Sequence, residues 1–308
     1  MEQINCTICA SPGTILYDCL TDRSTVSSLR WTLMRCGNER CRLIWINPTP
    51  GPDELANAYG GVYYTHALDK ETVYSRLKLR VKMGRLGEIL GYLNYLQGFE
   101  KGRLLDVGCG NGRFLSAMRE LGWEVEGVEP DCEAAALAQN AFGLNVQKTS
   151  LEEASLEPES FDVITLNHII EHVRNPTLFL SKCFELLKGG GEVLLRTPNA
   201  ESVGHRLFKE SWQPLDVPRH LYIYSSANII TLAKEAGFGI RLIRTVPRDA
   251  HVVFLKSKAI KEARRPLGAR EGNNAMDTAA GALFLVFEFL ALARDSFCGE
   301  ELVLFLSK

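Results

Sequence analysis

Residues 103–112, RLLDVGCGNG, carry a short apolar run straight into three glycines at alternate positions, Gly108, Gly110 and Gly112. No other feature constrains the chain as tightly. An apolar run that ends in an acid, Asp106, reads as a buried strand, and RFLSAMREL beyond the glycines reads as a helix to about Leu121. Glycine lets the backbone turn sharply and come close to a ligand. A strand, a glycine loop and a helix in that order form a binding site at the carboxyl end of a parallel strand.

The rest of the chain supplies more such units. EVEGV (124–128) and FDVITL (161–166) read as strands, each followed by a helix, over 131–141 and 176–187. Gly189, Gly190 and Gly191 are expected to break the chain before a strand EVLLRT (192–197). A helix over 226–236 stops at Gly237 and leads into GIRLIRT (239–245), and EELVLFLSK at 300–308 reads as a last strand. Alternation of this kind implies a doubly wound α/β sheet with helical crossovers. Residues 70–97, with Leu77, Val81, Leu86, Ile89, Leu90 and Leu93 at helical spacing, read as a helical linker or lid within 51–100.

Glu129, at the end of the second strand, can accept hydrogen bonds from both hydroxyls of a ribose. That acid also serves nicotinamide dinucleotides. Asp106 separates the two readings, because it would face a pyrophosphate of like charge but suits a cationic methionyl amine. The order LLDVGCGNGRFL, VEGVEP, FDVITLNHIIEHV and LLKGGGEVLLRTPN resembles the class I S-adenosylmethionine-dependent methyltransferases. The resemblance covers about 103–240 and implies a Rossmann-like seven-stranded sheet whose last strand is antiparallel, so that 246–299 becomes an insertion in a methyltransferase domain spanning 101–308. It places Asp106, Gly108, Cys109 and Gly110 on the methionyl side of the donor, Glu129 on the ribose, Ser150 and Leu151 near the adenine, and Asn167 in the donor pocket. The Cys109 thiol reads as packing rather than as a nucleophile.

His168-Ile-Ile-Glu171-His172 matches the H-x-x-E-H pattern of a zinc protease helix, in which the two histidines would share a face. The same segment lies where the methyltransferase pattern places its Glu-His pair. Two readings stay open, histidines that cap or pack a helix start and histidines at the methyl-transfer site. LDVPRHLY (215–222) resembles the L-D-x-P-R-H-L-Y segment of the ubiquinone-type methyltransferases. This resemblance puts Asp216, Arg219, His220 and Tyr222 near the acceptor, with His168 beside them. An oxygen acceptor must lose a proton, and a histidine titrates in the right range, so His172 and His220 are the candidate general bases.

Cys6-x2-Cys9 and Cys36-x4-Cys41 form two close pairs in a proline-rich segment, enough to close a tetrahedral structural zinc site. Residues 1–50 resemble the N-terminal zinc ribbon that precedes some methyltransferase domains, including sugar C-methyltransferases. The second pair is longer by two residues than that ribbon's usual C-x2-C-G. Reduced metal-free thiols remain the alternative, and Cys19 is a possible substitute ligand.

The 308 residues include nine cysteines, an odd number, which fits a reducing cytoplasm better than a disulfide scaffold. MEQINCTICA lacks the pattern of a secretory signal. Charged residues make up 23% with a formal net charge of −2, so a strongly basic nucleic-acid binder is not expected. Residues 255–274 are polar and basic, with Lys256, Lys258, Lys261, Arg264, Arg265 and Arg270, and are expected to be a mobile part of an otherwise helical insertion. The apolar run 279–293 is short for a membrane span and contains Glu288. It reads as a buried helix or dimer contact, or as a helix lying on a membrane or guarding a lipid-like acceptor. Together these features point to transfer of a methyl group from S-adenosylmethionine to a small molecule, at oxygen rather than carbon. A sugar or natural-product C-methyltransferase and a non-catalytic donor-binding module are the alternatives.

Overall fold

The structure is a computed structural model and describes residues 4–24, 28–59, 100–247, 249–263 and 275–308. The helix expected over 70–97 lies outside these residues. The described chain divides into two compact units, one of residues 100–165 and 186–191, the other of the described residues up to 59 with 166–185 and 192–308.

In the first unit, β4 (Arg103–Val107) and β5 (Glu124–Val128) pair in parallel, with Asp106 opposite Gly127, and the two-residue β6 (Val146–Gln147) continues the parallel set. Helices α2 (Arg113–Glu120) and α3 (Cys132–Phe142) are the crossovers. Asp131 caps α3, its carboxylate accepting from the Glu133 and Ala134 N–H groups at 2.9 Å. Gly112 takes a φ of 76° at the start of α2, and a Cβ there would come within 2.7 Å of the Ala138 side chain, so no larger residue fits where α3 crosses the loop. Leu104, Leu105, Leu115 and Ala134 have no exposed surface and form the core.

The larger sheet is completed by β7 (Phe161–Asn167), β8 (Leu187–Pro198), β10 (Gly239–Val246) and β11 (Glu301–Ser307), in the order β10-β11-β8-β7-β4-β5-β6. The last strand, β11, runs antiparallel between β8 and β10. This is the Rossmann-like seven-stranded arrangement. Helices α4 (Pro176–Leu186), α5 (Val203–Phe208) and α6 (Ser226–Glu235) connect its later strands. The glycine run does not break the chain as expected. Strand β8 starts at Leu187 and carries Gly189–Gly191 within it, the Gly190 φ of 80° marking only a local kink. Glycine weakens a strand locally, but pairing with neighbouring strands overrides that cost.

A second sheet has the order β1-β2-β3-β9, formed by β1 (Gly13–Leu20), β2 (Trp31–Cys36), β3 (Ile44–Asn47) and β9 (Tyr222–Ile223). Ile44 pairs with Ile223 and Trp45 with Tyr222, so a strand from the LDVPRHLY region closes the N-terminal sheet. A short helix α1 (Pro52–Tyr59) follows.

Between β10 and β11 the chain forms α7 (Ala250–Ala263) and α8 (Ala275–Leu292). Residues 255–263, polar and basic in composition, belong to α7. There Phe254 stacks on Phe284 at 4.9 Å and Lys258 pairs with Asp277 at 2.6 Å, contacts between two helices that local composition does not register. Helix α8 has an inverted polarity. Gly281, Phe284 and Glu288 face inward, whereas Leu283, Val286, Phe287, Phe289 and Leu290 are exposed. No helix among the described residues is long and apolar enough to cross a membrane.

Glu288 is fully buried, its Oε1 accepting from the Glu300 N–H at 2.7 Å while Oε2 has no hydrogen-bond partner among the described residues. Burial, followed by the nearby charge of Glu300, raises its carboxyl from the usual 4.5 to about 8. The folded chain thus holds a proton there that the unfolded chain has released, so stability falls as pH rises from 4.5 to about 8. Glu288→Gln removes this dependence. In thermal melts the variant should gain stability over the parent as pH rises through that window and lose the advantage near its acid end. Parallel curves would contradict the buried, protonated acid.

Candidate active site

The glycine loop leaves β4 with Gly108 and Gly110 at positive φ, 69° and 53°, conformations that L side chains rarely adopt. The N–H groups of Gly108 and Cys109 donate to the Val128 carbonyl, tying the loop to the end of β5. Glu129 braces it further, accepting from the Gly110 N–H at 2.7 Å and from the Asp131 N–H at 2.9 Å. Asp106 is buried, and the Thr165 hydroxyl donates to it at 2.6 Å. Burial, opposed by that hydroxyl and reinforced by Glu129, raises Asp106 to about 7. Such a pair of acids is costly to charge alone and would be relieved by a cation. Burial, then Asp106 and Glu129, pushes the Cys109 thiol far up, so it is not a nucleophile at neutral pH. The thiol fills the space beside Gly127, where a Cβ would come within 2.7 Å of the sulfur. Leu151 is buried and Ser150 half-buried in the segment after β6. Asn167 ends β7, and its buried Oδ1 has no hydrogen-bond partner among the described residues.

His168 to His172 do not form the helix that the H-x-x-E-H pattern of a zinc protease requires. His168 has a φ of 53° and only Ile170–His172 make a single 3-10 turn, so the two histidines are not successive turns of one face. The His168 Nδ1 faces Glu171 at 3.2 Å and its Nε2 faces Glu301 at 3.0 Å. Carboxylates only accept, so both ring nitrogens donate and the ring is an imidazolium. Burial opposes that charge, but Glu301 and Glu171 outweigh it and raise His168 to about 9. Glu171 is 0% exposed. Burial alone would push it up, yet His168, with His172 and His220, holds it charged at about 2. The Thr197 hydroxyl donates to its other oxygen at 3.0 Å, and Arg196 pairs with Glu301.

His172 and His220 lie edge to face, with centroids 4.6 Å apart. The His172 Nδ1 lies 3.0 Å from the Arg219 carbonyl and 2.9 Å from the Tyr59 hydroxyl, and the His220 Nδ1 lies 2.7 Å from the Pro214 carbonyl. A carbonyl accepts only, so each Nδ1 carries a proton. Burial and then the neighbouring His220 lower His172 to about 4, so it is neutral at physiological pH. Tyr59, Thr197 and Glu301 carry no motif in the sequence, and they reach this cluster from three distant elements.

The Arg219 side chain is 0% exposed. Its guanidinium donates to both oxygens of Asp22, to both of Asp216, to the Ala58 carbonyl and to the Ser24 hydroxyl, over 2.7–3.1 Å. Tyr222 is buried in β9, its hydroxyl 3.4 Å from the Arg174 carbonyl.

Cys6 and Cys41 bring their sulfurs to 3.6 Å and Cys9 and Cys36 to 3.3 Å, and all four lie within 4.8 Å of one another. Tetrahedral zinc with sulfur bonds of about 2.3 Å requires sulfurs spaced on this scale. Burial, then the neighbouring sulfurs, pushes Cys36 and Cys41 up, a cost that a cation would reverse. Cys19 is exposed on β1 and is not one of the four.

A family model described as a methyltransferase domain matches residues 82–242, more than half of the chain. The ubiquinone biosynthesis O-methyltransferase of Saccharophagus degradans is 39% identical over 103 residues, covering 32% of this chain and 44% of that protein. The protein of the same description from Maricaulis maris is 31% identical over 155 residues, covering 46% and 61%. The chain thus spans about half the length of these curated relatives. Among solved structures, a SAM dependent methyltransferase from Archaeoglobus fulgidus aligns with a TM-score of 0.49 at 21% identity, over 72% of this chain and 92% of that one. Phosphoethanolamine N-methyltransferase 2 of Haemonchus contortus, in complex with S-adenosyl-L-methionine, aligns with a TM-score of 0.48 at 19% identity, over 86% and 62%.

Removing one partner of a buried ion pair strands the other charge at a cost of about 3–5 kcal/mol. Arg219→Ala strands two carboxylates, so urea unfolding should show a loss at or above that range. A loss under about 1 kcal/mol, the scale of an exposed pair, would show that the guanidinium is not buried as described.

Proposed function

Because this chain belongs to the methyltransferase-domain family, we propose that it transfers the methyl group of S-adenosylmethionine to an oxygen of a small-molecule acceptor. The observation that carries the reading is the acid pair at the glycine loop. Asp106 and Glu129 are both buried, the first raised toward neutrality, and a donor with a sulfonium and an ammonium group relieves a pair of acids that a pyrophosphate would worsen. Asp106, Gly108, Cys109 and Gly110 are assigned to the methionyl part, Glu129 to the ribose, Ser150 and Leu151 to the adenine. Asn167, with its orphaned Oδ1, is assigned to the donor as well.

The donor supplies an activated methyl group. The chain's work is to position the acceptor oxygen in line with it and to receive that oxygen's proton. His172 and His220 are assigned to the proton, because each holds its Nδ1–H on a backbone carbonyl and so leaves Nε2 as the ring nitrogen to meet an acceptor. His168 is assigned to the wall of the acceptor site through its charge on Glu171. Asp216, Arg219 and Tyr222 are assigned to holding the 214–222 loop rather than touching the acceptor, since their buried side chains already have partners inside the protein. The ubiquinone O-methyltransferases among the relatives support oxygen as the acceptor atom. The cysteine cluster favours a second reading, methylation of a sugar or natural-product carbon, by its likeness to the ribbon of those enzymes. The position of a labelled methyl group in the product separates the two.

The four cysteines are assigned to one structural zinc. Metal analysis of the purified protein should return about one zinc per chain. Cys6→Ser should lose zinc and melt at lower temperature, and zinc-free protein that melts as the parent does would refute the assignment.

Calorimetry with S-adenosylhomocysteine tests the donor site. Binding should be micromolar and weaken at least about tenfold in Glu129→Ala, which removes the ribose hydrogen bonds. His220→Ala should leave that binding unchanged and slow transfer by about 10²–10⁴-fold. Equal binding in Glu129→Ala would sink the donor assignment, and full turnover in His220→Ala would remove it as the base.

A further inference from the structure

We propose that Glu301, on the last strand of the large sheet, is a positioning residue for methyl transfer: through the His168 ring it holds the charge on Glu171 beside the His172 and His220 rings. The inference rests on the methyl-transfer reading and adds to it a residue that acts only through others. Four charged groups alternate in sign. Arg196 pairs with Glu301, Glu301 lies 3.0 Å from the His168 Nε2, and the His168 Nδ1 lies 3.2 Å from Glu171. They come from β8, β11, the residue after β7 and the 3-10 turn. A carboxylate oxygen of Glu171 and one nitrogen of each of His172 and His220 lie within 4.8 Å of one another, so the charge acts on both rings at close range. The backbone holds the series in place. The His168 N–H donates to the Arg196 carbonyl at 3.0 Å, and the Leu221 N–H donates to the Glu171 carbonyl at 2.7 Å. Glu301 itself is fixed opposite Pro198 in the β8–β11 pairing.

The order of the charges is what gives Glu301 its effect. Glu171 has no exposed surface, and a carboxylate buried under the Thr197 hydroxyl alone would be pushed toward its neutral form. The His168 imidazolium prevents this. That imidazolium is itself partly desolvated, and it persists to about pH 9 because two carboxylates face it, Glu301 from β11 and Glu171 from the turn. Arg196 of β8 reaches it only through Glu301. With Gln at 301 one of the two anions is gone, and His168 releases its proton at lower pH. The site then carries one more negative charge, on Glu171. An acceptor oxygen that is giving up its proton develops negative charge of its own, and an unbalanced carboxylate beside the histidines disfavours that step. Glu301 thus sets the upper end of the pH range in which His172 and His220 meet a balanced site.

The test follows two quantities against pH in the full chain, kcat/KM for methyl transfer and the ring C–H resonances of His168. In the parent kcat/KM should stay level from neutral pH to about 9 and fall above it, where His168 titrates. In Glu301→Gln the resonance and the falling limb should move down together, by about 1–3 pH units. Glu301→Asp keeps the charge and should recover most of that displacement. Binding of S-adenosylhomocysteine should be alike in all three. A purely structural role would lower activity by one factor at every pH and leave the limb in place. An unmoved His168 resonance in Glu301→Gln would overturn the charge series, and a moved resonance with an unmoved limb would overturn the positioning role. If Glu301→Gln does not fold, the parent decides, because a falling limb that does not coincide with the His168 titration refutes the proposal. The resonances need no turnover, so a parent that titrates as described but transfers no methyl group fails on the transfer reading, and one whose His168 is neutral at pH 8 fails on the charge series.

Discussion

Arg219 is where three stretches of chain meet. Its guanidinium lies between the carboxylates of Asp22 and Asp216 and also holds the Ala58 carbonyl at the end of α1. Desolvating a guanidinium is expensive, and only a nearly complete set of acceptors makes it tolerable. Once that set is in place, the 214–222 loop can take few shapes. Its next residue, His220, and its own carbonyl, which receives the His172 Nδ1–H, are positioned as a consequence. The N-terminal sheet gains its fourth strand from the same loop through the β3–β9 pairing. One buried cation thus couples the cysteine-bearing segment to the histidine pair.

The chain keeps its acids in two contrasting states. At the glycine loop Asp106 accepts from the Thr165 hydroxyl and meets no cationic side chain among the described residues, and burial drives it toward its neutral form. In the histidine cluster Glu171 is just as buried but stays charged, because the His168 imidazolium donates to it. The first arrangement favours a positive ligand in place of a proton. The second supplies a fixed negative charge beside the His172 and His220 rings, which favours the gain of a proton there.

The left-handed backbone at His168 fits the same account. A side chain at a φ of 53° is uncommon outside glycine, asparagine and aspartate. Here the ring spans two carboxylates from different elements, Glu171 and Glu301, and those charge-assisted bonds hold the residue in that conformation. The inverted helix α8 is a similar case of tertiary contacts deciding local structure. Its Glu288 points inward and accepts the Glu300 N–H, while Leu283, Phe287 and Leu290 are left outside.

The antiparallel last strand was legible only through the resemblance to the methyltransferases, whereas the amino-acid sequence by itself determined the strand–glycine–helix unit, the alternation that builds the large sheet and the two close cysteine pairs. Each of these is encoded over short distances, by apolar period, by glycines that alone tolerate the required φ, or by ligand spacing. It also marked His172, His220 and Glu129 by type and place. It could not show that Arg219 is a buried brace, that β8 runs through its glycines, or that Tyr59, Thr197 and Glu301 reach the histidine cluster. Those outcomes depend on contacts between residues up to 197 positions apart, and the identity of a partner at that range leaves no local pattern. The tertiary structure alone decided which polar groups are satisfied, and therefore which histidine nitrogens are left to do chemistry.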